Sequence, residues 1–234
     1  MRAARDRYFA DNGFGPDGGY GKPWVDFKFG RVPFPFPNTP ARVAAVRFHD
    51  LHHVLTGYGT DLTGEFEISA WEIGAGCKRS WFAWQINLGG LGAGMLTAPR
   101  ATARAFSRGL ASDSLYGVEY ESLLDERVDA VRARLRLDRP VAPLSTIGRL
   151  GLAFATVAGL VWGVVQLAVL LPLTPIGVLA GMRAKRHAHQ LGHGERAQRP
   201  SRPRGHHRLT EIRRAHAAGQ RRSSTEHDQA TRRR

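Results

Sequence analysis

The sequence predicts an all-α protein: a compact helical domain with an extended N-terminal arm, followed by an apolar membrane segment and a disordered basic tail. Three observations carry that expectation. From Pro40 to about Leu137, apolar residues recur at the three- and four-residue spacing of a helix face, and no strand-like alternation competes with it. Residues 150–182 contain no charged side chain, a length that can span a bilayer. Residues 183–234 then hold 15 Lys or Arg against 4 Asp or Glu, a net +11 of the formal +14 carried by the whole chain. With 234 residues and 42% hydrophobic content, the chain suffices for one ordinary domain plus appendages.

The arm, residues 1–38, owes its expectation to composition. Between residues 10 and 38, Gly, Pro and aromatic side chains crowd together, as in Val32-Pro-Phe-Pro-Phe-Pro, and such runs oppose regular helix. These aromatics are expected to pack across the helical domain, and an arm close to a site could also line its entrance. No apolar run follows Met1-Arg-Ala-Ala-Arg-Asp, so a secretory leader is not expected. The single cysteine, Cys77, excludes an internal disulfide framework and reads as a small core residue.

Residues 39–139 form the predicted helical domain. Its first helix is bounded by Asn38 or Thr39 as cap, Pro40 at the first position and Gly57 at the close. A loop over 57–63 leads to a second helix from Gly64 through Glu72, with Gly64 allowing a close approach. Further helices are expected over 81–96, 99–110 and 120–137. Four glycines between 89 and 94 point to close backbone approach, either by another helix or by a ligand such as a polyprenyl tail. The apolar segment, 144–182, has its best helix from Gly151 to Leu171, with Pro172 and Pro175 expected to interrupt it. The tail, 183–234, is expected to be disordered apart from a helical turn near 209–217, and to attract anionic lipid headgroups or, less specifically, nucleic acid. Without interleaved aromatics it makes a poor platform for stacking single-stranded nucleic acid.

All three histidines that precede the tail lie between residues 49 and 65. On a helix turning about 100° per residue, His49 and His53 lie about 40° and one turn apart, so their imidazoles can converge on one ion. Asp50 sits about 60° further round from His53, and Glu65 follows on the next helix. His49, Asp50, His53 and Glu65 are therefore candidate ligands of one divalent metal ion, zinc first among the candidates, with a coordination position left for substrate. Asp50 and Glu65 are also the candidate catalytic groups, ligating or managing a proton. His52 either stands behind the ligands or faces solvent, and Glu72, on the same helix face as Glu65, is a candidate partner behind them. A His pair four apart also occurs in satisfied cores and on surfaces; the concentration of histidine here and the Glu after the turn favour metal.

Counting weakens two families with related motifs. Phosphohydrolases built on a His-Asp dyad need a further histidine upstream of His49, where there is none. Zinc peptidases use a Glu where Asp50 stands, one methylene too short for that general base. The stretch from Arg47 to Gly57, with His49, Asp50 and His53, eleven intervening residues and Glu65, resembles the metal motif of the ubiquinone (coenzyme Q) biosynthesis protein 4 family. Gly64-Glu65 through Trp71-Glu72 and the stretch 121–137 are similar to its later signatures, so the likeness covers about residues 30–138; residues 86–99 match loosely, and 140–234 have no counterpart.

The resemblance implies a metal-dependent enzyme that removes the ring carboxylate at C1 of a prenylated hydroxybenzoate precursor, with hydroxylation there as a coupled variant. Its implied partners are that precursor or a lipid, a membrane surface, and other ubiquinone biosynthesis proteins. The alternative is a non-catalytic quinone- or lipid-binding scaffold of a membrane complex, in which the metal serves structure. Location is expected at the membrane, with the domain on the cytoplasmic side. The positive-inside rule puts the tail on that side too. A re-entrant hairpin, an interfacial helix, or one ordinary span with the domain exported are the three ways out.

Overall fold

A computed structural model describes residues 1–29 and 32–197. Among these the protein is all-α, with eight helices and one two-stranded hairpin: α1 (Arg2–Asn12), β1 (Trp24–Phe29), β2 (Val32–Pro37), α2 (Pro40–Thr56), α3 (Leu62–Ala75), α4 (Trp81–Thr97), α5 (Pro99–Leu110), α6 (Tyr120–Asp125), α7 (Val128–Arg134) and α8 (Thr146–Ala197). Residues 1–184 form one unit and residues 185–234 a second, of which the backbone is described as helical as far as Ala197.

The arm departs from the expected extended chain. Arg2–Asn12 is rich in Ala and Arg, good helix formers, and the helix stops only at Gly13, which takes the left-handed conformation at φ 67°. The Gly/Pro-rich composition that argues against helix starts at that glycine. The antiparallel hairpin pairs Trp24 with Pro37 and Phe29 with Val32. Prolines at 33, 35 and 37 all lack an N–H along the same edge, which a two-stranded ribbon tolerates because each strand has only one partner.

Helix α2 spans the expected residues. Thr39 caps it by accepting from the Arg42 N–H at 3.3 Å, Pro40 opens it, and Gly57 closes it at φ 78°. Asn38 is not the cap; its amide donates to the carbonyls of Tyr20 and Lys22 at 3.1 and 2.9 Å and pins the arm to the start of α2. Helix α3 begins two residues earlier than expected, because Asp61 caps it through the Gly64 N–H at 2.7 Å. Gly64 does make a close approach, but to the Gly59 backbone of the connecting loop and not to α2.

Trp71, Leu51, Leu55, Ile68, Leu91 and Leu123 are fully buried at the centre of the domain, and Cys77 lies in the same core. Glycines set the helix spacing. Gly74 of α3 faces Gly109 of α5, and Gly92 of α4 faces Gly159 of α8. The glycine run of α4 thus serves helix packing, with Gly90 on Ser69 and Gly94 on Phe66 and Thr102. A Cβ on residue 109 would run into the Trp71 carbonyl, so Gly109→Ala is expected to cost about 1–3 kcal/mol. Gly151→Ala, where a Cβ meets nothing, should leave stability equal or higher. Urea unfolding of both variants checks the contrast.

Two expectations need correction beyond the arm. The helix expected over 120–137 is broken at Glu126 and Arg127, both in extended conformation, with no glycine or proline to announce it. Pro172 and Pro175 do not interrupt α8, which runs through them and on to Ala197. An apolar helix carries prolines when its neighbouring turns remain bonded, and the Ala, Arg, Lys and Gln of 183–197, where the backbone is described as helical, are helix formers. The disorder expected of 198–234, with its turn near 209–217, lies outside the described residues.

Candidate metal centre

The last two turns of α2 present His49 and His53 on one side, and the first turn of α3 brings Glu65 against them. His49 Nε2 lies 3.2 Å from His53 Nε2 and 3.5 Å from Glu65 Oε2, and His53 Nε2 lies 3.6 Å from Glu65 Oε1. Among the described residues these three offer ligand atoms that all fall within 4.8 Å of one another.

Each imidazole is oriented from behind. His49 Nδ1–H donates to Glu72 Oε1 at 2.9 Å, and His53 Nδ1–H donates to the Tyr58 carbonyl at 3.0 Å. With both Nδ1 atoms spent as donors, both Nε2 lone pairs point to one place, where two nitrogens at 3.2 Å need a shared proton or a cation between them. A four-coordinate ion with bonds of about 2.0–2.1 Å spaces its ligand atoms about 3.3 Å apart, close to the spacings here. Two imidazoles and a carboxylate are the donor set of zinc and similar divalent ions. The Glu65 side chain is 43% exposed, so the cluster opens to solvent on that side.

Electrostatics agree with the geometry. Burial alone would strip the proton from His49, but the carboxylates of Glu72 and then Glu65 hold it well above the usual imidazole range. Burial, with the positive charge on His49, pushes His53 down to about 4. Burial raises Glu65, yet its bond to His49 and the charge of both imidazoles bring it below the usual carboxylate range. The three groups are arranged to hold positive charge at one point.

Of the four expected ligands the structure brings together three. Asp50 stands apart, its carboxylate accepting the Tyr20 hydroxyl at 2.5 Å, and burial lifts it to about 6. Position on the helical wheel favours His49 and His53 over Asp50, and a hydroxyl donor contributed by the arm takes up the Asp50 carboxylate. His52 is wholly buried and does not face solvent: its Nδ1–H donates to Glu72 at 2.8 Å and its Nε2 accepts the Leu115 N–H at 2.9 Å. Both nitrogens being committed, His52 has no lone pair to give an ion.

Glu72 is the hub of this arrangement. Fully buried, it accepts from His49, His52, Asn87 and, at 2.5 Å, the Tyr116 hydroxyl. Burial pushes its carboxyl up, but the positive charge on His49 and the hydrogen bonds from both imidazoles outweigh that and hold it well below the usual range. Sequence reasoning reached Glu72 but not Asn87, Tyr116, Tyr8 or Tyr20. Asn87 did leave a trace, one of two amides, with Gln85, in a mostly apolar helix. The Tyr8 ring lies nearly parallel to that of His53, centroids 5.8 Å apart, so the arm walls the cluster, for which spacing holds no sign.

No family model matches the chain, and neither the curated proteins nor the solved structures compared with it include a match.

Proposed function

We propose that this protein is a metal-dependent, membrane-associated enzyme of ubiquinone biosynthesis, a decarboxylase acting on C1 of a prenylated hydroxybenzoate precursor. The observation that carries the metal part is the convergence of two pre-oriented Nε2 atoms and the Glu65 carboxylate on one point that opens to solvent. The likeness of residues 47–57 and 64–72 to the motifs of the ubiquinone biosynthesis protein 4 family supports the substrate class. Location at a membrane is supported by α8, whose residues Thr146–Val169 are long and apolar enough to cross one.

His49, His53 and Glu65 would hold the cation. When bound, it supplies Lewis-acid stabilisation to negative charge on the ring carboxylate or phenolate. Glu72 and the Tyr58 carbonyl fix the tautomers that leave both Nε2 atoms free to bind. In the reaction the bond from C1 to the carboxylate breaks, its electron pair stays on the ring, carbon dioxide leaves, and a proton is returned to C1. Two groups would manage that proton: Glu65, partly exposed at the mouth, and Asp50, whose carboxyl burial lifts to about 6.

The test supplies zinc-, cobalt- or manganese-loaded protein with a prenylated 4-hydroxybenzoate and follows carbon dioxide. Metal-dependent release that is lost in Glu65→Gln supports the enzyme. Stoichiometric binding of the compound without release returns the scaffold reading instead.

A further inference from the structure

We propose that α8 is divided in function: residues 146–159 are a root seated on the helical domain, and residues 160–182 are the length that crosses a lipid bilayer. This rests on the membrane reading above and is independent of the catalytic one. The apolar run as a whole is too long for a simple span. From Leu150 to Met182 it would measure about 50 Å as a straight helix, against a hydrocarbon core of about 30 Å.

The structure accounts for the excess. Over its first four turns α8 buries one face, at Gly148, Leu152, Ala155 and Gly159, the four-three-four spacing of a helix lying along a surface. At Gly159 the helix crosses α4 so closely that a Cβ there would strike the Leu88 backbone, and Gly92 opposite meets the α8 backbone in the same way. The helix it rests on belongs to the domain core, because α4 also supplies Asn87 to the buried carboxylate of Glu72. Drawing 146–159 into a bilayer would therefore drag with it the framework behind the metal ligands.

Beyond Gly159 the surroundings change. Trp162 and Gln166 are half-buried, Gln166 lying against Gly89, and after Gln166 none of the described side chains of α8 is buried. Val161, Val164, Val165, Leu167, Val169 and Leu171 are exposed over more than half of the helix circumference, the other side being that of Trp162 and Gln166. An apolar helix with most of its circumference uncovered by protein matches lipid. Residues 160–182 measure about 35 Å, the thickness of one hydrocarbon core with a small tilt, and charge returns immediately after it, at Arg183, Lys185 and Arg186. Those cations suit an anionic headgroup layer.

Depth along the helix tests this. In the full-length protein, whose native Cys77 is buried, single substitutions Ile147→Cys, Phe154→Cys, Val157→Cys, Val161→Cys, Leu167→Cys, Leu171→Cys, Leu179→Cys and Arg183→Cys are labelled with a nitroxide. The proteins are reconstituted into phosphatidylcholine vesicles containing phosphatidylglycerol. Collision with oxygen relative to a water-soluble nickel chelate should reach one maximum at Leu171, with Ile147 and Arg183 both reading aqueous or headgroup-like. A maximum near Val157 would overturn the division, since the helix would then be immersed from its start. A 3.6-residue oscillation without a central maximum would overturn it too, as the mark of a helix lying in the membrane plane. Uniformly aqueous readings would overturn it together with the membrane reading. Zinc titration of the same samples keeps any of these failures separate from failure of the metal site.

Discussion

Replacing His53 with alanine is expected to abolish stoichiometric binding of a divalent cation while leaving the helical fold in place. Its Nε2 is the meeting point of the cluster, 3.2 Å from His49 and 3.6 Å from Glu65, so its loss leaves one imidazole and one carboxylate. The affinity should fall by more than the roughly 10–100-fold that follows loss of a hydrogen-bond partner behind a ligand. Folding loses the bond to the Tyr58 carbonyl, about 1 kcal/mol, and some ring contact with Tyr8. His52→Ala should behave in the opposite way. It leaves the cluster intact but removes a partner from Glu72 and from the Leu115 N–H, each worth about 1–3 kcal/mol in a buried site. Equilibrium dialysis with zinc, beside urea unfolding of both variants, separates the two outcomes. Equal loss of zinc from both would contradict the assignment of His52 as a structural residue.

Glu72→Ala should have the largest effect on stability of any single change near the site. Four donors converge on that carboxylate in a fully buried position, two of them belong to imidazoles, and it compensates the charge held on one of these, His49. Removing one partner of such a buried charged network costs about 3–5 kcal/mol, since the groups left behind keep their desolvation penalty. Zinc affinity should fall as well, by roughly 10–100-fold, because His49 loses the acceptor that sets its tautomer and direction. The urea midpoint and a chelator competition read the two effects on one preparation. A variant with wild-type stability and affinity would mean that Glu72 neither supports the core nor orients His49.

How much of this could be read from sequence depends on whether the deciding contact is local. Helix α2 was legible because its cap, its proline and its closing glycine all sit in the chain next to it. The convergence of His49 and His53 was legible because four residues on a helix fix two side chains on one face. Glu65 needed only one further assumption, that the loop after Gly57 is short enough to return the chain. Asp50 was misplaced among the ligands because its partner, Tyr20, comes from the arm, thirty positions away, and no periodicity reports that approach. The same holds for Asn87 and Tyr116 around Glu72. Helix α1 was missed because the arm was read from a composition that begins only at Gly13. The continuation of α8 through two prolines reflects the surrounding turns, which residue propensity treats as if each stood alone.

The central claim is that His49, His53 and Glu65 hold one divalent cation between them. X-ray absorption at the zinc edge on full-length protein loaded with one equivalent tests it most directly, because it reads the donor atoms themselves. The account predicts nitrogen and oxygen donors only, at about 2.0–2.1 Å, with the outer-shell scattering of two imidazoles, falling to one in His53→Ala. A sulfur donor at about 2.3 Å, an imidazole count unchanged in that variant, or zinc that dialyses away from the wild-type protein would contradict it.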